Sequence, residues 1–220
     1  MRVAVVIPAY QAAATLGAVL SQVSLPDARV IVVDDGSTDG TGDQGLGAGA
    51  IVLTHPRNRG KGAALRTGLA RARADGAEVI VTIDADGQHP AAEIPRLLQP
   101  IAAGAADLVL GARARNGAMP VSRRLTNWLS ASVASRIGRQ AIRDAQTGFR
   151  AFTRALAERV QPAGDRYEFE ANFLLEALRA GYRVTSVEVP TIYGGPSHFR
   201  YFGDTWRMVR AFAQQLGLRD

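Results

Sequence analysis

Short runs dense in β-branched residues recur along the first half of the chain, at 3–7, 29–33, 50–54, 78–83 and 107–110. Between them, apolar residues fall at helical spacing: Leu16/Val19/Leu20/Val23, Leu65/Leu69/Ala72 and Ile94/Leu97/Leu98/Ile101. Continuous apolar runs alternating with 3.6-period stripes predict βαβ units around a mostly parallel sheet, buried on both faces and flanked by helices. After residue 113 the pattern changes. Leu125/Leu129/Val133/Ile137 predicts a stripe on a helix, and Phe149-Arg150-Ala151-Phe152 a short strand. Phe173/Leu174/Leu178 predicts a helix ending at Gly181-Tyr182, Val184–Val189 a strand, and Trp206/Val209/Phe212/Leu216 a final helix. The glycine-rich piece 36–50 reads as a loop with room for a short helix, its low complexity pointing to mobility and not to chemistry. There is no internal repeat and no long linker, so residues 1–220 are expected to form one α/β domain.

At 220 residues the chain can bury a sizeable core. It has no cysteine, which excludes disulfides and thiolate sites and fits a reducing compartment. The apolar run that follows Met1-Arg2 is too short for a signal peptide, and no window offers the roughly 20 apolar residues of a membrane helix. A soluble or peripheral protein is expected, cytoplasmic or working at the inner face of the membrane. The formal charge of +6 is unevenly spread. Residues 1–112 carry 9 basic and 11 acidic side chains, net −2, while 113–220 carry 17 and 9, net +8. The second part is therefore the expected side for an anionic partner.

In sheets of this kind ligands gather at the carboxyl ends of the strands. Those ends read Pro8-Ala9-Tyr10, Asp34-Asp35-Gly36-Ser37, His55-Pro56-Arg57-Asn58, Asp84-Ala85-Asp86 and Gly111-Ala112-Arg113. Asp84 and Asp86 point the same way if strand geometry persists. Two hard oxygen ligands at a strand end suit Mg2+ or Mn2+ that is also held by phosphates, although an Asp-x-Asp alone is more often solvated loop. Asp34 and Asp35 either accept from a nucleobase or ribose or simply form an Asp/Gly turn. Asn58-Arg59-Gly60-Lys61-Gly62 precedes a helix, where backbone N–H groups favour anions. Lys61 is the only lysine beside 25 arginines, and a compact ammonium reaching phosphate is its functional reading. The spacing is neither that of a P-loop nor that of the Rossmann fingerprint.

Five stretches in this order, Val-Ile-Pro-Ala-Tyr (6–10), Val-Val-Asp-Asp-Gly-Ser-Thr-Asp (32–39), Asn-Arg-Gly-Lys-Gly (58–62), Asp-Ala-Asp-Gly-Gln-His-Pro (84–90) and Asp-x-Gln-Thr-Gly-Phe-Arg (144–150), resemble family 2 inverting glycosyltransferases. The likeness is greatest to the dolichyl- or polyprenyl-phosphate mannose or glucose synthase branch and spans nearly the whole chain. It implies a GT-A-type nucleotide-diphosphate-sugar transferase fold, a nucleotide-sugar donor and a divalent cation. It also implies a nucleotide-sugar-binding part at 1–112 and an acceptor-binding part at 113–220. On the same resemblance, Pro8, Ala9, Tyr10, Val33 and Asp35 would hold base and ribose. Asp84, Ala85 and Asp86 would line the ribose, metal and diphosphate, with Asp86 in the catalytic centre and Gln88 a further metal-side ligand. Arg113 would reach the donor phosphates or the acceptor. One departure stands out: the first motif usually continues Asn-Glu, and here it reads Gln11-Ala12, which favours a uridine over a guanosine donor. The membrane segment that many relatives carry at the carboxyl end is a second expected difference.

Glu170 stands where family members carry a general base, which a hydroxyl acceptor needs and a phosphate acceptor does not. Acidic residues at a helix start are otherwise simple helix stabilisers. Arg150, His198 and Arg200 are the candidates for meeting a diphosphate or an anionic acceptor. The stretch 193–212 holds 6 of the 14 aromatic residues together with Arg200, Arg207 and Arg210, a composition that fits a membrane interface or lipid-phosphate mouth. A polyprenyl phosphate or other envelope acceptor is the expected partner. Nucleic-acid binding would leave the acidic motif unexplained. Transfer to a hydroxyl acceptor and a non-catalytic nucleotide-sugar-binding subunit are the alternatives. A nucleotidyltransferase is disfavoured because the first strand leads to Pro-Ala-Tyr and not to a long glycine-rich loop.

Overall fold

The computed structural model describes residues 1–113, 121–166 and 168–192, with side chains for all of these except 121–125. The elements run β1 (Val3–Ala9), α1 (Ala13–Ser21), β2 (Arg29–Asp34), α2 (Thr41–Gly47), β3 (Ile51–Thr54), α3 (Lys61–Ala74), β4 (Val79–Thr82), α4 (Ile94–Ala102), β5 (Leu108–Arg113), α5 (Val121–Gly138), β6 (Arg150–Thr153), α6 (Arg154–Arg159), α7 (Glu168–Arg179) and β7 (Val184–Val189). Each strand run predicted from the pattern is present within a residue or two, apart from rim extensions of β1 and β5. The final helix expected around Trp206 lies outside the described residues.

The strands form one sheet in the order β3-β2-β1-β4-β6-β5-β7. Every neighbouring pair is parallel except those made by β6, which runs antiparallel to both β4 and β5. Alternation along each strand divides the core. Ala4, Val6, Ile31, Val33, Leu108 and Leu110 face α3, α5, α6 and α7. Val5, Ile7, Val32, Val79, Val81 and Val109 face α1 and α4. The sheet is thus buried on both faces, as its apolar runs require. Gly68 lets α3 sit on the sheet, since a Cβ there would come within 3.1 Å of Val33 Cγ2 and still closer to Val6.

Two expectations are corrected. Within the glycine-rich piece the short helix is present as α2, but it is packed where mobility was expected, with Thr41 fully buried and Gly45 pressed on β2 and β3. A Cβ at Gly45 would lie 2.9 Å from Val52 Cγ2, so its glycine reflects close packing and not mobility. On α5, Val133 and Ile137 pack on the core but Leu129 is 50% exposed. A stripe spaced every four residues drifts by about 40° per step on a 3.6-residue helix, so Leu129 turns away while Val133 and Ile137 reach the core.

Candidate active site

Parallel strands bring their carboxyl ends to one rim, and antiparallel β6 brings its beginning there. Arg150 pairs with Thr82 and with Leu110, so residues 144–150 lie beside the end of β4. Gly148 is backed against Asp84: a Cβ would sit 2.6 Å from its Oδ2. Nothing larger than glycine leaves that carboxylate in place.

Lys61, the first residue of α3, puts its Nζ 2.6 Å from Asp84 Oδ1 and 3.1 Å from Glu170 Oε2. Three charged groups from α3, the end of β4 and the start of α7 therefore meet around one nitrogen. Burial pushes the Asp84 pKa up, but Lys61, with His89 and Arg150, outweighs it and leaves the pKa below the usual carboxylate range. For Glu170 the balance reverses. Burial, aided by Asp84, raises its pKa against the pull of Lys61 and Arg150. Glu170 is 8% exposed, and its Oε1 is buried without a hydrogen-bond partner. Lys61 thus joins two carboxylates, where the sequence suggested a group reaching freely for phosphate. The amino end of α3 is also covered, with Ala63 N donating to Asp165 O at 3.2 Å. Arg66 fixes that loop through Gly164 O at 2.5 Å and an ion pair with Asp165.

Asp86 Oδ1 accepts from Gln88 N at 3.0 Å, bending the chain through Gly87 at φ 71° and holding both residues on the rim. Ala85 is buried, and its carbonyl accepts from Thr15 Oγ1 at 2.7 Å. Among the described residues no three His, Cys, Asp or Glu side chains gather closely enough to hold a metal ion. The donor set still fits Mg2+ or Mn2+: Asp84, Asp86 and Gln88 offer hard oxygens only, and such ions take one or two carboxylates and complete their shell with substrate phosphates.

Pro8 and Ala9 pair with Val33 and Asp34 at the adjoining ends of β1 and β2, and Tyr10 follows, 37% exposed. Val33 itself is wholly buried against α3, so it offers the rim no side chain. Asp35 is placed differently from expectation. Its carboxylate is buried and accepts from His55 Nδ1 at 2.6 Å, Arg59 N at 3.0 Å and Gly60 N at 2.7 Å. It shapes the loop that delivers Lys61. Asp35→Asn is accordingly expected to lower unfolding free energy by about 1.5–3 kcal/mol, read by urea denaturation. Reduced nucleotide affinity at unchanged stability would instead mean direct contact with the nucleotide.

Arg113 makes a bidentate pair with Asp144, at 2.7 and 3.1 Å. Burial would raise the Asp144 pKa, but this guanidinium holds it below the ordinary range. Arg150 is 2% exposed and gives its guanidinium to three carbonyls, of Thr147 at 2.8 Å, Glu170 at 2.6 Å and Ala145 at 3.2 Å. It therefore ties the 145–148 segment to the turn that carries Glu170, and is a positioning residue in place of an exposed anion contact. His198 and Arg200 lie outside the described residues.

Sequence reasoning assigned no role to Asp144 or Gly148, although both lie in a quoted motif, nor to His55, Asp39 or Thr41. Asp39 Oδ2 and Thr41 Oγ1 accept from the N–H groups of Ala13 and Ala12 at 3.0 and 2.8 Å, capping α1 from a distant loop. Gln11, at φ 51°, bonds Thr38 through its side-chain amide.

Residues 4–161 match the family described as Glycosyl transferase family 2. The chain belongs to this family. As a family 2 glycosyltransferase it is 32% identical over 209 residues to the undecaprenyl-phosphate mannosyltransferase of Micrococcus luteus, covering 88% of this chain and 84% of that protein. It is 30% identical over 190 residues to the UDP-N-acetylglucosamine–dolichyl-phosphate N-acetylglucosaminyltransferase of Methanococcus voltae, covering 75% of each. Glucosyl-3-phosphoglycerate synthase from Mycobacterium tuberculosis, crystallised with Mg2+ and UDP, superposes with TM-score 0.81 at 25% identity, covering 100% of this chain and 80% of that one. The glycosyltransferase fold is of the GT-A type, and among the described residues no helix is long and apolar enough to cross a membrane.

Proposed function

We propose that this glycosyltransferase moves a sugar, with inversion, from a nucleoside diphosphate sugar to a polyprenyl phosphate, using Mg2+ or Mn2+ held by Asp84 and Asp86 with Gln88 beside them. The observation that carries this reading is the charge cluster on the rim, in which Lys61 joins the Asp84 carboxylate to Glu170. The named relatives that act on undecaprenyl or dolichyl phosphate support the acceptor. The cation, when bound, offsets negative charge growing on the departing diphosphate. Lys61 adds a second positive charge at that place. A phosphate oxygen of the acceptor forms the new bond to the anomeric carbon as the bond to the nucleoside diphosphate breaks, and the diphosphate leaves with the electron pair. No proton need be removed, because a phosphate monoester is already anionic.

Radiolabelled UDP- and GDP-sugars offered with Mn2+ to a polyprenyl phosphate and to the free polyprenol of the same length test this. Labelled lipid is expected from the phosphate alone. Labelled product from the alcohol alone would replace this reading with a hydroxyl acceptor. That second reading has its own support in the raised pKa of Glu170 and its unpartnered Oε1.

A further inference from the structure

Lys61 is the only lysine of the chain, and its flexible side chain needs a fixed starting point to meet both Asp84 and Glu170. Apolar packing seats α3 on the sheet from Ala63 onwards, but it does not hold the turn before Lys61, where residues 56–59 are all exposed. Gly60 closes that turn at φ 100°, a conformation that glycine adopts readily and other residues do not, and α3 begins without a side-chain cap. The turn is held instead by its backbone. The N–H groups of Arg59 and Gly60 donate to the Asp35 carboxylate at 3.0 and 2.7 Å. Gly36 adds a close contact, since a Cβ there would lie 2.5 Å from the Arg57 carbonyl carbon.

One side chain aims the Asp35 carboxylate. His55 Nδ1 lies 2.6 Å from Asp35 Oδ1, and His55 Nε2 lies 2.9 Å from Thr67 Oγ1. Thr67 stands six residues after Lys61 on the same helix, and its hydroxyl also donates to the Ala63 carbonyl at 3.1 Å. The imidazole therefore grips α3 at two places, directly at Thr67 and through Asp35 at the turn before Lys61. Its backbone N–H is anchored on β2, donating to Asp34 O at 2.9 Å. His55 and Asp35 are both buried, which strengthens these bonds and keeps water from competing for them. We propose that His55 is the positioning residue for Lys61: bridging Thr67 and Asp35, it sets the ammonium between Asp84 and Glu170. The placement is independent of the reaction, and its effect on transfer rests on the charge that Lys61 brings to the departing diphosphate.

A sole lysine is a sole reporter. In protein made with lysine carrying an NMR-active nitrogen isotope at Nζ, the ammonium is expected to give one signal that exchanges slowly with water, because Lys61 is 17% exposed and sits between two carboxylates. His55→Leu keeps much of the bulk and removes both bonds. The signal should then broaden into exchange, and transfer should slow about 10- to 100-fold, the cost of a misplaced group. His55→Asn still presents an amide donor to Asp35 and should restore both readings. In a Lys61→Met background, His55→Leu should slow transfer no further, whereas a loss of folded protein would add to that substitution. Should His55→Leu not fold, Thr67→Val, which deletes one hydroxyl, should shift the signal and slow transfer about two- to tenfold. A Lys61 ammonium that exchanges like an open surface amine in the wild type overturns the proposal. So does an unmoved signal in folded His55→Leu or Thr67→Val, a signal that His55→Asn fails to restore, or slowing that persists beside Lys61→Met. If Lys61→Met alone transfers at the wild-type rate while the signal still follows His55, the positioning stands and the charge assigned to Lys61 in transfer fails.

Discussion

Asp86→Ala is expected to abolish both nucleoside diphosphate binding and sugar transfer, and a chelator to do the same to the unaltered enzyme. Asp84 and Asp86 leave the end of β4 one residue apart, and each is held in place. Asp84 is backed by Gly148 and faced by Lys61, and Asp86 is braced by the N–H of Gln88. Without a cation, a diphosphate entering this site meets Asp84, Asp86 and Glu170, with Lys61 between Asp84 and Glu170 as counter-charge. Loss of the metal's several kcal/mol of charge stabilisation amounts to a fall in transfer of about a thousandfold or more. Calorimetric titration of UDP and GDP with Mn2+ measures the binding half of the effect. Heats that survive both the chelator and the alanine substitution would remove the metal from the mechanism. Lys61→Met should weaken binding less, because one of two positive charges remains.

The second large effect separates the two acceptors. Glu170 is a buried carboxyl whose pKa is raised, the condition in which a carboxylate best removes a proton from a hydroxyl. If the acceptor is an alcohol, Glu170→Gln should lower transfer by about 10²–10⁴, with donor binding intact. The unaltered enzyme would then lose activity as pH falls through the raised pKa, and the glutamine variant would lose that limb of the profile. If the acceptor is a phosphate, transfer should stay near normal and the acidic limb should be the same in both proteins. Retention of Arg150's bond to the Glu170 carbonyl, which the substitution leaves untouched, keeps the backbone in place for the comparison. The pKa direction also fixes the sign for stability. A carboxyl whose folded pKa is raised favours the folded state least above that pKa, so neutralising Glu170 should not destabilise the protein at neutral pH on this account.

Much of the rim was readable in the sequence. Strand positions follow from β-branched runs, strand ends from the polar residues that stop them, and in a parallel sheet those ends share one side. Pro8, Tyr10, Asp84, Asp86 and Arg113 therefore reach a common rim from local pattern and one topological rule. The roles of individual side chains were less readable, because hydrogen-bond partners lie far off in sequence. Asp35 looked like a ligand contact because nothing near it showed that His55, Arg59 and Gly60 would saturate it. Arg150 looked like an anion contact for the same reason, and its three carbonyl acceptors come from two separate segments.

The sequence by itself determined the two-sided sheet, the order of its elements, and the carboxylate pair at the end of β4, since each depends on spacing within about ten residues. Only the tertiary structure decided that β6 enters between β4 and β5 and runs against them. That reversal lays Gly148 on Asp84 and brings Arg150 under Glu170. It also decided which face of α5 turns inward. Of the predicted stripe, Val133 and Ile137 pack on the core while Leu129 turns out, because the rim segment at 145–146 offers hydrogen bonds that Asn127 and Ser130 can meet and leucine cannot. Local periodicity reports where apolar side chains are, but strand pairing and buried polar groups select the arrangement that satisfies every backbone donor, and those partners are remote in the chain.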